Sequence, residues 1–227
     1  MTLVAITGAS RGIGRATAFA LGRRGATLAL IGRESVELAE TLRELAALGV
    51  SASSFQADLG DAGQTVAAAR AVLDTLGTPA AVIHNAGIID RASVIDTSPA
   101  SFERQLAVNL RAPFLLTREW LPSMLERASG RLVFLGSISS TLGSAGAAAY
   151  CASKWGLVGF VKSLAEELSN SGLMAVVVLP GSVDTSMLSG SGFPPRMTPA
   201  DVASTLVHYA LDAPLAHNGG VIEMFGI

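Results

Sequence analysis

An α/β fold is what this sequence predicts, built on one doubly wound parallel sheet of about seven strands with helices on both faces. Three observations carry that expectation. Short apolar runs alternate with longer helical patterns along all 227 residues. The runs are apolar throughout rather than at every second position, the pattern of strands covered on both sides. Half the residues are hydrophobic, 15% are charged and 24 are glycine, which suits tight turns around a full core. The length fits one domain, and no repeat, charge run or Pro/Ser linker divides residues 1–227.

Taken in order, the first strand is expected over 3–7 and a helix near 13–24. The run Leu28-Ala29-Leu30-Ile31 marks a second strand over 27–31, followed by a helix over 35–48. A strand over 51–56, a helix over 63–76 and a strand over 81–84 complete the first half. A long helical stretch covers 101–127, announced by Ser98-Pro99, a capping hydroxyl before a proline at the first helical position. A strand over 131–135 and a helix over 149–169 follow. Ala175-Val176-Val177-Val178-Leu179 reads as a buried strand. Thr198-Pro199 repeats the start signal for a helix over 199–211, with Asp201 adding an acid to its first turn, and a last strand spans 221–225.

Between the first strand and the first helix stands Thr7-Gly8-Ala9-Ser10-Arg11-Gly12-Ile13-Gly14. Glycines here permit a tight turn and close approach of the backbone to a pyrophosphate, which then faces a helix N-terminus. Three glycines alone are a weak signal; a strand before and a helix after make a Rossmann-type dinucleotide site. An NAD site usually carries an acid at the end of the second strand, for the ribose 2′-hydroxyl. This chain reads Ile31-Gly32-Arg33 there. Gly32 leaves room for a 2′-phosphate, and Arg33 with Arg11 can neutralise it, so NADP(H) is expected in preference to NAD(H).

The chain has two tyrosines and two lysines, and one of each stands four apart in Tyr150-Cys151-Ala152-Ser153-Lys154. On a helix, positions i and i+4 share a face, so phenol and ammonium enter the same space. A neighbouring ammonium favours phenolate, so the tyrosine is expected below its usual pKa of about 10, as suits a proton donor to a carbonyl oxygen. The competing reading of the pair alone is a helix-surface contact without chemistry.

With the glycine loop and this pair in place, the chain resembles the short-chain dehydrogenase/reductase family, almost end to end. Asp58-Leu59 resembles the acidic-plus-apolar pair that contacts the adenine. Asn85-Ala86-Gly87 resembles the turn after the fourth strand, with His84 where the family more often has Asn. Asn109 resembles the helix asparagine that holds a water in a proton relay. Ser137, thirteen residues before Tyr150, resembles the active-site serine. Pro180-Gly181-Ser182-Val183-Asp184-Thr185 resembles the segment that wraps the nicotinamide. The resemblance implies a cofactor held by Gly8, Ser10, Arg11, Gly12, Ile13, Gly14, Arg33, Asp58, Leu59, Asn85, Ala86, Gly87, Tyr150, Lys154, Pro180, Gly181, Val183 and Thr185. It implies catalysis by Ser137, Tyr150, Lys154 and Asn109, with no metal. Blander roles stay open: Asp58 as a strand terminator, Asn109 as a structural polar residue, Ser139 and Ser140 as rivals of Ser137, and His84 and Cys151 as bystanders.

The implied function is NADPH-dependent reduction of a ketone or aldehyde to an alcohol. A 3-oxoacyl-carrier-protein reductase is the alternative. It is weakened because Ser169-Asn170-Ser171-Gly172 offers no basic residue to an acidic carrier, and the family pattern around Asn218-Gly219-Gly220-Val221 is incomplete. A non-catalytic NADP sensor is a further alternative, one that would not need Ser137, Tyr150 and Lys154. The irregular stretch 186–197 reads as a lid whose Met187, Leu188 and Phe193 favour a moderately apolar substrate, while Arg196, its one basic residue, could meet an anionic one. A formal charge of −2 without a basic cluster argues against nucleic acid as a partner. A single cysteine suits a reducing compartment, and the apolar runs fall short of a membrane span, so the chain is expected to be cytoplasmic and without a signal peptide. The resemblance implies a homotetramer or homodimer formed through helices 101–127 and 149–169, with Phe114, Trp120, Trp155 and Phe160 as candidate contacts.

Overall fold

The computed structural model describes residues 2–226. Seven parallel strands form one sheet in the order β3-β2-β1-β4-β5-β6-β7. They are β1 Leu3–Thr7, β2 Thr27–Gly32, β3 Ala52–Gln56, β4 Ala81–His84, β5 Gly130–Leu135, β6 Leu173–Pro180 and β7 Val221–Met224. The order reverses between β1 and β4, so the carboxyl ends of those strands diverge and leave a crevice, where open α/β sheets hold ligands.

Alternate side chains of the central strands enter different cores, which is why they read as unbroken apolar runs. Ala175, Val177 and Leu179 of β6 join Val82 and Phe134 in one core; Met174, Val176 and Val178 join Ile6, Ile83 and Val133 in the other. The first core is closed by α3 Ala62–Leu76, α5 Ala112–Glu126 and α6 Ala148–Glu167, and the second by α1 Gly12–Arg23, α2 Val36–Ala47 and α7 Pro199–Leu211. Trp120, expected as a possible oligomer contact, is fully buried in the first core and donates its indole N–H to Ala69 O at 2.9 Å. Phe114 and Trp155 are exposed, and Phe160 is half-buried.

The helix expected over 101–127 is interrupted. It comprises α4 Pro99–Leu106, a π turn over Ala107–Arg111, and α5. Pro113 explains the break. It has no N–H to give the carbonyl of Asn109, four residues earlier, so the ladder widens locally. The Ala112 N–H accordingly bonds Ala107 O, five residues back. Both sequence-read start signals operate: Ser98 Oγ accepts from Ser101 N at 3.1 Å, and Thr198 and Asp201 form a reciprocal capping box.

His84 ends β4 inside the first core. Its ring stacks on Phe134 at 4.5 Å, Nε2 shares a hydrogen bond with Thr117 Oγ1 at 3.1 Å, and Nδ1 has no partner. Burial holds its pKa down to about 3. The folded value lies below the ordinary 6.5, so below that pH the unfolded chain takes up a proton that the folded chain refuses. The stability tied to His84 is complete above pH 6.5 and is lost as pH falls towards 3, by up to about 1.4 kcal/mol per unit. Urea midpoints measured from pH 7 to 4 should therefore fall less steeply for His84→Asn than for the wild-type chain. Parallel profiles would exclude His84 as the acid-sensitive group.

Candidate active site

The glycine loop is clamped across the sheet's reversal point. Thr7 Oγ1 accepts from Asn85 N and Ala86 N, both at 3.0 Å, while Asn85 Nδ2 donates to Thr7 O and Gly8 O, both at 2.9 Å. This ties the end of β1 to the turn after β4. Gly8 adopts φ +72, and a Cβ there would lie 2.9 Å from Ala86 Cα; a Cβ on Gly14 would overlap the Gly8 carbonyl. No larger residue fits either position. Side chains cap α2, α3, α4 and α7 through Ser35, Asp61, Ser98 and Thr198. The cap residue of α1, Arg11, makes no such bond, and its first turn holds no acid. The first N–H groups of α1 thus remain available to an anion. Ser10 and Ile13 lie in this loop and first turn, Ser10 through its carbonyl opposite Thr41 and Ile13 packed on the second core.

Around the end of β2, a Cβ built on Gly32 meets nothing within 4 Å. Arg11 and Arg33 flank the opening, close enough for Arg11 to pull on Glu37 and Arg33 on Asp58. Asp58 accepts from Arg104 Nη2 at 2.8 and 3.0 Å and from Gly60 N at 2.9 Å, and Arg104 foremost holds its carboxyl below the usual range. Leu59 is a core residue. Beyond β6, the segment from Pro180 turns back over the glycine loop, and a Cβ on Gly12 would meet Thr185 Cγ2 at 3.3 Å. Val183 bridges Met197, which closes the loop between them at its base. The uncapped α1, the cradle of Gly8 and Gly14 and the open space at Gly32 fit a dinucleotide carrying an extra phosphate.

The structure brings Ser137, Tyr150, Lys154 and Asn109 together. Ser137 starts a 3-10 turn over Ile138–Ser140, where its Oγ accepts from Ser139 N at 3.1 Å and its N–H bonds Ser140 Oγ at 3.3 Å. Of the three serines, Ser137 is the one whose side chain pulls on the Tyr150 phenol. Lys154 Nζ lies 5.7 Å from the centre of the Tyr150 ring and donates to Leu135 O at 2.7 Å. Tyr150 and Lys154 are 7% and 3% exposed, so both feel the loss of water. Burial pulls the Lys154 pKa down to about 8.

One expectation is corrected here. The phenol was expected below its usual pKa, but burial pushes it above, against the downward pulls of the Ser137 hydrogen bond and the Arg91 cation. The ammonium meant to depress it is held by a carbonyl rather than by the phenol oxygen. Asn109 sits in the π turn with its side-chain oxygen and nitrogen both hydrogen-bonded. Oδ1 accepts from Ile88 N at 2.8 Å, and Nδ2 donates to Ile88 O and Ser153 Oγ, both at 2.9 Å. Ser153 in turn donates to Tyr150 O at 2.7 Å. Gly87 fills the gap: a Cβ there would stand 3.4 Å from Asn109 Oδ1 and 3.6 Å from Lys154 Nζ.

Sequence reading missed Ser153, the Leu135 carbonyl and Arg91. Ser153 was legible in principle, one residue before Lys154; the other two depend on contacts between distant segments. Arg196, read as the loop's cation, packs its Cβ 3.0 Å from the position of a Cβ at Gly226 near the end of the chain. Among the described residues no cluster of three metal-ligating side chains occurs, and no helix is long and apolar enough to cross a membrane.

A family model described as short chain dehydrogenase matches residues 2–192. The chain is 31% identical to 2-(S)-hydroxypropyl-CoM dehydrogenase 3 of Xanthobacter autotrophicus, over 99% of its own length and 95% of that protein. It is 30% identical to the 3-oxoacyl-[acyl-carrier-protein] reductase of Synechocystis, over 95% and 91% of the two chains. Among solved structures, a blue fluorescent protein from a metagenomic library, in complex with NADPH, superposes with a TM-score of 0.90 at 30% identity, covering 99% of this chain and 96% of that one.

Proposed function

The chain belongs to the short-chain dehydrogenase family of oxidoreductases acting on CH–OH and carbonyl groups, and on that premise we propose that it reduces a ketone or aldehyde with NADPH through Ser137, Tyr150, Lys154 and Asn109. The observation that carries this reading is the buried Tyr150–Lys154 pair with Ser137 acting on its phenol, together with an uncapped α1 and an open Gly32. The nicotinamide, when bound, supplies the hydride. Ser137 donates a hydrogen bond to the substrate oxygen, and Tyr150, protonated at neutral pH as any phenol of ordinary or raised pKa is, delivers the proton. The Lys154 ammonium stabilises the negative charge that builds on the phenol oxygen as that proton leaves. The Asn109 side chain is engaged, so a relay water would rest on its carbonyl, whose helical partner is replaced by Pro113. The loop closed by Val183 and Met197 acts as the lid.

Arg33 and Arg11 would bind the 2′-phosphate, with Asp58 and Leu59 lining the adenine end, Leu59 through its main chain. Arg33→Gln should raise the KM for NADPH about 10–100-fold and leave that for NADH nearly unchanged, the scale of one charged hydrogen-bond partner. An unaltered NADPH-to-NADH ratio would remove Arg33 from cofactor choice. The overall reading is tested by following NADPH and NADH absorbance with a panel of ketones and aldehydes; tight NADPH binding with no oxidation by any carbonyl favours the sensor instead. A carrier-borne substrate is the second reading, suggested by the Synechocystis relative's activity. It is weakened by α6, whose last turn holds no basic residue.

We further propose that copies associate through α4, α5 and α6. A groove of about 620 Å³ there is lined by Phe102, Leu106, Leu110, Phe114 and Phe160, away from Tyr150. Exposed Phe102, Phe114 and Trp155 add an apolar face that monomers seldom leave open. Light scattering would read a single-chain mass if this face stays uncovered.

A further inference from the structure

We infer that Arg91 recognises the anionic end of the substrate, so that the carbonyl compound taken by this site carries a compact oxyanion, carboxylate or phosphate, a few bonds from the reacting carbon. The inference rests on the reductase reading above. Arg91 lies on the segment that leaves β4, and this segment is pinned to the approach of α6. Ala92 bridges Ala147, and Ala92 N donates to Gly146 O at 3.0 Å. Gly146 takes φ +69, which lets that approach turn to meet it. Tyr150 follows three residues after Ala147, and Ile89, two residues before Arg91, packs against the cluster of Ala147, Tyr150 and Cys151. From the other side, Arg91 Cδ lies 3.9 Å from where a Cβ on Gly190 would stand, so its stem runs along the lid loop. Arg91 is exposed at this mouth, on the segment that meets the approach of α6 and with its stem beside the lid, and its charge is felt at the phenol.

Among the described residues no carboxylate lies within ion-pair distance of Arg91. Its neighbour Asp90 is turned to Ser101, whose hydroxyl donates to it at 2.5 Å. The remaining cations at this end of the sheet have other positions. Lys154 is held by Leu135 O, Arg33 follows Gly32, Arg11 lies in the glycine loop, and the backbone and Cβ of Arg196 lie beside Gly226. A guanidinium offers a fork that matches carboxylate or phosphate with two parallel hydrogen bonds. At a mouth partly closed by a lid, such a pair would fix which end of the substrate faces outward and so set the carbonyl against Tyr150.

The test compares matched pairs with NADPH. The pairs are 4-oxopentanoate and 5-oxohexanoate against their methyl amides, and hydroxyacetone phosphate against hydroxyacetone, with wild-type protein, Arg91→Gln and Arg91→Lys. The charged member should be preferred by the wild-type protein in kcat/KM. That preference should fall about 10–100-fold in Arg91→Gln, chiefly through KM, and be partly kept in Arg91→Lys, which retains the charge without the fork. The carboxylate and phosphate pairs show which oxyanion is meant. An equal preference in wild-type protein and Arg91→Gln overturns the inference, as does reduction of the uncharged members alone; in both cases the reductase reading stands. If wild-type protein reduces no member of any pair or of the wider carbonyl panel while NADPH binds, the reductase reading falls and takes this inference with it.

Discussion

Tyr150→Phe is expected to slow carbonyl reduction about 1,000-fold or more while NADPH affinity stays within a few-fold. The substitution removes one oxygen from a ring that is 7% exposed and packed among Ala147, Cys151 and Ile89, so the helix and pocket keep their shape. What disappears is the only phenol in the pocket, and with it the proton donor, a role worth about 100–10,000-fold in related chemistry. A phenol raised above its ordinary pKa is protonated at neutral pH, and it surrenders that proton only when charge develops on the substrate oxygen beside it. Phenylalanine leaves Ser137 to polarise the carbonyl without completing the transfer. Single-turnover mixing of the variant with NADPH and a good substrate reads the chemical step directly. A variant keeping more than a few per cent of the rate would remove Tyr150 as the acid.

The sheet was readable because its strands are buried on both faces. Continuous runs such as 28–31 and 175–179 announce themselves, and their ends shifted by only one or two residues in the structure. The break at 107–111 was less visible, although Pro113 supplied the signal, since a proline within helical periodicity can either kink or end a helix. Within the site, spacing brought out what lies on one element: Tyr150 with Lys154 on α6, and Gly8, Gly12 and Gly14 around one turn. It did not bring out what depends on two elements meeting. That Lys154 faces the Leu135 carbonyl, that Asn109 bonds Ile88, and that the segment carrying Arg91 meets the approach of α6 through the Ala92–Ala147 bridge all follow from long-range packing. The direction of the Tyr150 shift failed for the same reason, because the helical spacing shows a neighbouring charge but not the depth of burial.

Lys154→Met should produce a chain that is more stable and nearly inactive. The ammonium is 3% exposed and has one protein acceptor, Leu135 O at 2.7 Å, where a fully hydrogen-bonded ammonium uses three donors. Burial pulls its pKa from 10.5 to about 8, which corresponds to about 3 kcal/mol of destabilisation at neutral pH. Methionine has a similar length and flexibility and carries no charge, but it leaves Leu135 O without its donor, a loss of about 1 kcal/mol. A net gain of about 1–2 kcal/mol remains, or about 2–8 °C in Tm for a domain of this size. The pH dependence gives an independent check on the cause. The folded pKa lies below the unfolded one, so between pH 8 and 10.5 the unfolded chain holds a proton that the folded chain has released. Wild-type stability tied to Lys154 therefore rises across that window, and the advantage of Lys154→Met should shrink over it while staying constant below pH 8. Activity should fall about 100-fold or more, since no cation then stabilises the negative charge left on the Tyr150 oxygen. Denaturant titrations at pH 7 and pH 10, run beside turnover assays, read both effects. A variant less stable than wild type at pH 7, or an advantage that does not change with pH, would mean that the buried ammonium is compensated by its surroundings and that its retention needs no catalytic explanation.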